Sequence, residues 1–279
     1  MAAHLPTTPK SLIVCADDFA ANASVSLGIA QLAQRRRISA TSVMVLSPRW
    51  PQDAALLQGL RAQIDVGLHL DWTSEFAVQA GHGLSLHNAM RRAWMRGFDP
   101  KQAQMVIQHQ LDLFEAQWQA PPDYVDGHQH VQQFAGIRQA LVQVLTQRYG
   151  NLPAQPYLRI SRAPAGSADL KTRVIAWMGA NALKKIATNN RLTSTSVLSG
   201  IYNFSGTGAD YARHMKRWLQ QTPAGGIIMC HPAQAIEAGD EIGMARRQEY
   251  NYLSSSEFAD ALQQAQVVIT RGVSSRIQG

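Results

Sequence analysis

The chain has 279 residues, of which 46% are hydrophobic and 16% are charged, with a net charge of +7. This size and composition predict one large globular domain with a full core, as in an α/β barrel. No apolar run approaches the roughly 18 residues of a membrane span, and two cysteines are too few for a disulfide framework or a four-cysteine zinc site.

The basic residues lie in short groups, such as residues 35–37 and 246–247, and form no long run. A positive field favours nucleic acid, a membrane surface or an anionic substrate. A solvated surface is the commoner explanation, and no nucleic-acid motif accompanies the arginines. The first ten residues show no basic stretch followed by an apolar one, so we expect no secretory signal and a cytoplasmic protein.

Apolar runs, polar tips and amphipathic segments alternate along the chain. Strands are predicted at residues 11–15, 40–46, 64–71, 124–131, 157–160, 195–198, 226–231 and 266–270. Helices are predicted at about residues 22–34, 51–60, 99–118, 135–148, 170–187, 210–220 and 256–264. This alternation favours a parallel sheet, and we predict a single domain over residues 1–279, a distorted (β/α) barrel of seven to eight mainly parallel strands.

Residues 72–98 form a long stretch without clear periodicity. Long irregular loops inside compact domains are often lids or binding loops. We therefore interpret this stretch as a loop insertion that covers the substrate.

Two adjacent aspartates, Asp17 and Asp18, follow the first predicted strand. In α/β proteins, chemistry collects at the carboxyl ends of the strands. Neighbouring carboxylates repel each other and lose solvation unless a cation lies beside them. One aspartate could cap the helix that begins near Asn22. The second would then have no partner, so we favour a divalent cation.

Histidines occupy the carboxyl ends of the third and fourth predicted strands. A lone histidine such as His69 is more often a core residue than a ligand. On the fourth strand, alternation places four polar side chains on one face: Asp126, His128, His130 and Gln132. Because extended backbone separates the Cα atoms of its two histidines by about 6.5–7 Å, we expect one metal ligand and one substrate-contacting or supporting residue.

Two histidines and one carboxylate with open coordination positions are typical of a hydrolytic metal site. A polar strand end that is hydrogen-bonded within itself is the alternative for the fourth strand alone. The two cysteines, Cys15 and Cys230, lie in apolar runs and are predicted to be small buried hydrophobic residues.

Three segments resemble the signatures of the YdjC-like carbohydrate deacetylases: residues 16–19 (ADDF), 67–70 (GLHL) and 126–131 (DGHQHV). That family includes chitooligosaccharide deacetylases and hopanoid-associated deacetylases. The resemblance covers nearly the whole chain, and residues 247–253 are similar to the family's closing R-x-E-x-x-x-L pattern. Two positions depart from the family. Ala20 stands where glycine is usual, and Gln132 stands where a third histidine is frequent, which bears on the substrate and not on the metal.

The resemblance implies that Asp18, His69 and His128 bind one divalent ion, Mg²⁺ or Zn²⁺, and that Asp17 is the general base. A nearby cation would lower the pKa of Asp17 and keep it ionised, so it could accept a proton as water attacks. The implied reaction removes an acetyl group from an N-acetylated amino sugar, such as an N-acetylglucosamine oligosaccharide or glycoconjugate.

Four further residues complete the predicted site. His231, at the tip of the seventh strand, is the candidate proton donor to the leaving amine; a buried histidine held by a backbone carbonyl is the alternative. Arg159 resembles an arginine that orients the basic aspartate in related deacetylases, and its alternative is a surface or substrate-binding cation. His130 and Asp126 are predicted to support the site or to contact substrate.

Two other functions remain open at this point. A metal-dependent phosphoesterase would use similar ligands and a basic surface, although two-metal enzymes of that class usually need more carboxylates. A non-enzymatic protein that binds nucleic acid or a membrane surface through its arginines would leave the carboxylate and histidine placement unexplained. We expect no nucleic-acid partner and no membrane span, and a homodimer is the expected assembly.

Overall fold

Parallel strands form one sheet in the part of the chain that the computed structural model describes, residues 8–164, 175 and 177–272. The strands are β1 (Lys10–Phe19), β2 (Ala40–Val43), β3 (Asp65–Leu70), β4 (Tyr124–Gly127), β5 (Tyr157–Leu158), β6 (Leu198–Ser199), β7 (Ile227–Cys230) and β8 (Val267–Ile269). Their order is β5-β4-β3-β2-β1-β7-β6, and β8 pairs with the start of β1.

Helices follow most strands. They are α1 (Ala23–Gln34), α2 (Trp50–Asp53), α3 (Ala55–Gln58), α4 (Glu75–Gln79), α5 (Leu86–Trp94), α6 (Pro100–Trp118), α7 (Ile137–Tyr149), α8 (Ala180–Asn189), α9 (Gly208–Gln221), α10 (Gly243–Ser254) and α11 (Ser256–Gln264). Two helix starts follow from local chemistry, because the side chains of Asn22 and Asp99 accept hydrogen bonds from the first turns of α1 and α6. Each of these helices is too short or too polar to cross a bilayer.

The sheet curls until its two edges are joined by one segment of chain. The backbone N–H of Thr195 donates to the carbonyl of Leu158 in β5 (2.9 Å), while the carbonyl of Val197 accepts from Ile227 in β7 (3.1 Å). The structure therefore confirms the distorted (β/α) barrel predicted from the sequence.

β1 lies at the centre of the sheet, and its side chains alternate between two layers. Leu12, Val14 and Ala16 pack with the core beneath the helices. Ile13 and Cys15 pack instead with residues of β2, β4, β5, β6 and β7, which places them inside the barrel.

Several predicted elements differ from the structure. β4 ends at Gly127, and a 3₁₀ turn (His128–Gln133) replaces the predicted extension of the strand to residue 131. The prediction that residues 72–98 lack regular structure is wrong, because they contain α4 and α5. These short helices bury only three alanines, which leaves little apolar periodicity in the sequence.

Two further helices compare with the prediction in different ways. α10 was not predicted, since its buried residues include Arg246 and Glu249. The helix predicted at residues 170–187 is described only in part, as α8; residues 170–174 and 176 lie outside the described residues.

Candidate active site

The two aspartates of β1 point into the barrel mouth for different reasons. Asp17 continues the inward series of Ile13 and Cys15. Asp18 would face the helices if the strand stayed regular, but its φ is 68°, a left-handed value. This break in the strand brings both carboxylates to the same cavity.

Ala20, two residues further, also has a left-handed backbone, with φ of 72°. Such a conformation favours glycine and costs a side-chain-bearing residue about 1 kcal/mol. Two serines hold the turn: Ser26 Oγ accepts from the N–H of Ala20 (3.1 Å), and Ser47 Oγ donates to its carbonyl (2.6 Å). The departure from the family pattern therefore falls where glycine is the natural residue.

Asp18, His69 and His128 come together as a candidate metal site. Asp18 Oδ1 lies 3.4 Å from His69 Nε2 and 3.2 Å from His128 Nδ1, and one ligand atom from each residue lies within 4.8 Å of the others. Two ligand atoms that each bind a tetrahedral ion at about 2.1 Å are about 3.4 Å apart. The donor set and its spacing therefore fit one divalent ion.

Asp126 orients His69 from behind. Its Oδ1 lies 2.6 Å from His69 Nδ1, so the proton on that nitrogen is shared with the carboxylate and Nε2 faces Asp18. A carboxylate that holds the second nitrogen of a histidine in this way is common at metal sites. Asp126 Oδ2 also accepts a hydrogen bond from Ser42 Oγ at 2.6 Å.

The predicted single face of the fourth strand is wrong, because the chain leaves the extended conformation after Gly127. Gln129 and His130 adopt left-handed φ values of 51° and 63°. As a result, His128 reaches Asp18, while His130 Nδ1 lies 3.0 Å from Ser161 Oγ and not at the candidate metal site.

Arg159 forms a bidentate pair with Asp17, with Nη1–Oδ1 at 2.5 Å and Nη2–Oδ2 at 2.7 Å. The same Nη1 lies 2.9 Å from Asp126 Oδ2, so one guanidinium bridges two carboxylates. Arg159 is fully buried. Gln132, in place of the family's frequent histidine, donates to the Arg159 carbonyl at 3.1 Å and so supports the segment that carries this cation.

These contacts set the protonation states of the acids. Burial by itself would raise the pKa of Asp17, but Arg159 holds it well below its ordinary value. Burial likewise opposes ionisation of Asp18, and Arg246 with the two histidines lowers its pKa. Both carboxylates are therefore ionised at neutral pH.

The pKa values of the histidines shift in different directions. Burial disfavours a charged His69, yet Asp126 and Asp18 raise its pKa to about 10. Burial lowers the pKa of His130 to about 3 and that of His231 to about 4, so both are neutral at pH 7. A divalent ion at the site would therefore displace a proton from His69.

His231 follows β7 and lines the same cavity as His69 and His128. Its Nε2 is 4.0 Å from Asp17 Oδ2, and the edge of its ring meets Phe204. The backbone N–H of His231 donates to Glu249 Oε2 at 2.5 Å. Glu249 is fully buried, and burial raises its pKa to about 7.

The carboxylates and histidines open into a cavity of about 840 Å³. Much of its remaining wall is apolar, including Leu86 and Met90 of α5, Ile201, Phe204 and Met229. The predicted insertion at residues 72–98 thus contributes to the cavity through α5.

Sequence reasoning assigned no role to Asp240 and Arg246, which line this cavity, or to Glu249, which bonds the lining residues Tyr202 and His231. Arg246 Nη2 donates to Asp18 Oδ2 at 2.7 Å, and its Nε lies 3.0 Å from Asp240 Oδ2. The family pattern gave a partial signal, since it includes Glu249, but it places its arginine at Arg247. Arg247 instead donates to the carbonyl of Gln234, away from the aspartates.

Comparison with solved structures identifies proteins of similar fold. A protein of Enterococcus faecalis V583, whose proposed role is cellobiose-phosphate cleavage, has a TM-score of 0.70 and 17% identity, over 95% of this chain and 98% of that chain. The Xyl-CE4 domain of a xylanase from the hindgut metagenome of Trinervitermes trinervoides has a TM-score of 0.51 and 8% identity, over 94% and 87%.

A family 4 acetyl xylan esterase from Clostridium thermocellum, solved with a cobalt ion, also has a TM-score of 0.51 and 8% identity, over 95% and 89%. A comparison with curated proteins gave no match. The sequence profile of the YdjC-like proteins matches residues 11–264, nearly the whole chain. The chain therefore belongs to the YdjC-like protein family.

Proposed function

We propose that the protein is a metal-dependent deacetylase that removes an acetyl group from an N-acetylated amino sugar. One observation carries the proposal: the ligand atoms of Asp18, His69 and His128 converge beside the ionised Asp17, at a cavity of about 840 Å³. Such a volume accommodates a small molecule of this kind. The similar folds of an acetyl xylan esterase and a carbohydrate-cleavage protein also support it.

Asp18, His69 and His128 would hold one Mg²⁺ or Zn²⁺. A bound divalent ion supplies Lewis-acid polarisation of the amide carbonyl and a more acidic water. Asp126 keeps His69 in the orientation that faces the ion, through the 2.6 Å contact to Nδ1.

Asp17 is the proposed general base. Both of its oxygens accept from Arg159, and the carboxylate lines the cavity. Oδ1 also accepts from Cys15 Sγ and Ser42 Oγ at 3.4 Å each, so Oδ2 is the oxygen with a lone pair for the proton. Arg159 keeps it ionised and fixes its direction, so it can accept the proton of the attacking water. His231 is neutral at pH 7 and its Nε2 lies 4.0 Å from Asp17, so we propose that it takes up the proton that Asp17 has accepted and then donates it to the leaving nitrogen.

The phosphoesterase alternative gains no support from the charges at the site. Arg159 is shared between Asp17 and Asp126, and Arg246 between Asp18 and Asp240. Each of these cations is already balanced by two carboxylates, which leaves it little charge to offer a phosphate.

Metal content and acetate release test the proposal together. Wild-type protein loaded with Zn²⁺ or Mg²⁺ is incubated with N-acetylglucosamine oligomers and conjugates, and acetate and bound metal are measured. We expect acetate release and about one ion per chain, with both lost in Asp18→Asn and His128→Ala. His109→Ala, at an exposed position of α6, is the control and should behave as wild type.

If the metal-loaded protein released no acetate from any acetylated sugar, this result would contradict the proposed reaction. Release of phosphate from an aryl phosphate by the same metal-loaded protein would favour the phosphoesterase.

A further inference from the structure

Helix α10 brings two buried charged residues to the site. Arg246 and Glu249 are three residues apart, so they lie on the same face of the helix. Arg246 is 7% exposed and Glu249 is fully buried. Charged side chains are rarely buried without a partner, and neither one belongs to the proposed ligands, base or acid.

Arg246 bonds one oxygen of Asp18 and leaves the other oxygen to face the two histidines. Its Nη2 donates to Oδ2 at 2.7 Å, whereas Oδ1 faces His69 and His128 at 3.4 and 3.2 Å. Asp240 holds the guanidinium from the other side, at 3.0 Å. With Oδ2 bound in this way, only Oδ1 points to the candidate metal position.

Glu249 bonds the segment that follows β7 and the side chain of Tyr202. Its Oε2 accepts the backbone N–H of His231 at 2.5 Å, and its Oε1 accepts Tyr202 O–H at 2.6 Å. The carbonyl of Arg246 also accepts from the N–H of Ala233, two residues beyond His231. These contacts tie the chain that follows β7 to α10.

We propose that Arg246 and Glu249 are positioning residues: Arg246 orients Asp18 for single-oxygen metal binding, and Glu249 holds His231 at its distance from Asp17. This inference rests on the proposed function of the site. It predicts that the two substitutions have separable effects, one on metal affinity and one on the chemical step.

The role proposed for Arg246 is tested by measuring zinc affinity in competition with a chelator. Arg246→Met should weaken zinc binding by about 10–100-fold, the usual cost of losing a partner behind a metal ligand. Arg246→Lys keeps one donor and should fall between Met and wild type. Arg247→Met, on the same helix but bonded to Gln234, should stay within about twofold of wild type. Unchanged or tighter zinc binding in both Arg246 variants would overturn the role proposed for Arg246.

The role proposed for Glu249 is tested by steady-state kinetics and by hydrogen exchange of backbone amides. Glu249→Gln should lower kcat by about 10-fold or more, with KM and zinc affinity within about twofold of wild type. Exchange of the His231 amide should become faster, while the amides of Ile227–Cys230 keep their protection. A loss spread equally over kcat, KM and zinc affinity, with exchange raised throughout β7, would show a merely structural role.

Failure of the proposed reaction is distinguishable from failure of this inference. If wild-type protein releases no acetate but Arg246→Met still weakens zinc binding and Glu249→Gln still exposes the His231 amide, the positioning roles stand without the deacetylase.

Discussion

Two compact acidic clusters lie side by side at the mouth of the barrel, and only one is suited to a metal. The inner cluster is Cys15, Asp17 and Asp126, and the outer cluster is Asp18, His69 and His128; in each, one ligand atom per residue lies within 4.8 Å of the others. The inner cluster already contains a cation, because Arg159 bonds both of its carboxylates. Burial and the Asp17 charge also raise the pKa of the Cys15 thiol, which keeps it protonated.

The cations of the outer cluster are placed differently: Arg246 lies outside the ligand set, and the charge on His69 is a proton that a divalent ion would displace. Arg246 takes the far oxygen of Asp18, and two imidazoles present nitrogens toward the near oxygen. The difference teaches that proximity of acidic groups does not identify a metal site; what matters is whether a fixed cation already bonds the oxygens that face the other ligands.

The largest expected effect separates the two aspartates. Asp17→Asn should lower kcat for deacetylation by about 10²–10⁴-fold, because the amide cannot accept the proton of the attacking water. Its bound metal should stay near one ion per chain. Asp18→Asn should instead lose the metal. If Asp17→Asn also lost the metal, the inner and outer clusters would not be functionally distinct.

The next prediction concerns removal of Arg159, the cation of the inner cluster. Arg159→Leu leaves Asp17 and Asp126 buried without their counter-charge, which typically costs about 3–5 kcal/mol of unfolding free energy. Urea unfolding measures it. The matched control is Arg162→Leu, an exposed position three residues further, where we expect a change within about 0.5 kcal/mol. Equal effects of the two substitutions would refute the resident-cation interpretation.

The prediction with the smallest effect concerns Glu249, a buried carboxylate that accepts from two neutral donors, Tyr202 O–H and the His231 N–H. Burial raises its pKa from 4.5 to about 7, so the folded protein binds this proton more tightly than the unfolded chain. Its contribution to stability is full below pH 4.5 and is lost as pH rises to about 7, by about 3 kcal/mol. Unfolding free energies at pH 4.5 and 7 measure it.

Glu249→Gln cannot ionise and should lack this pH slope. A wild-type slope no steeper than that of the variant would show that Glu249 is already ionised at pH 4.5.

How far the site follows from sequence differs between its residues. Asp17 and Asp18 were found because adjacent carboxylates at a strand end need a cation. Polar residues at the ends of the neighbouring strands indicated His69 and one of the two histidines of the fourth strand, and the family resemblance selected His128. Their separate contacts follow from backbone that the local pattern does not predict: the left-handed φ of Asp18 and the 3₁₀ turn that begins at His128.

The sequence by itself determined the alternation of strands and helices and the barrel that they build, because these depend on periodicity along the chain. The family resemblance predicted that Arg159 orients Asp17. Only the tertiary structure decided that the same guanidinium also bonds Asp126 and that α10 reaches Asp18 from 228 residues away. Charge pairing of this kind depends on which chain segments the folded barrel brings together, and spacing along the chain carries no record of it.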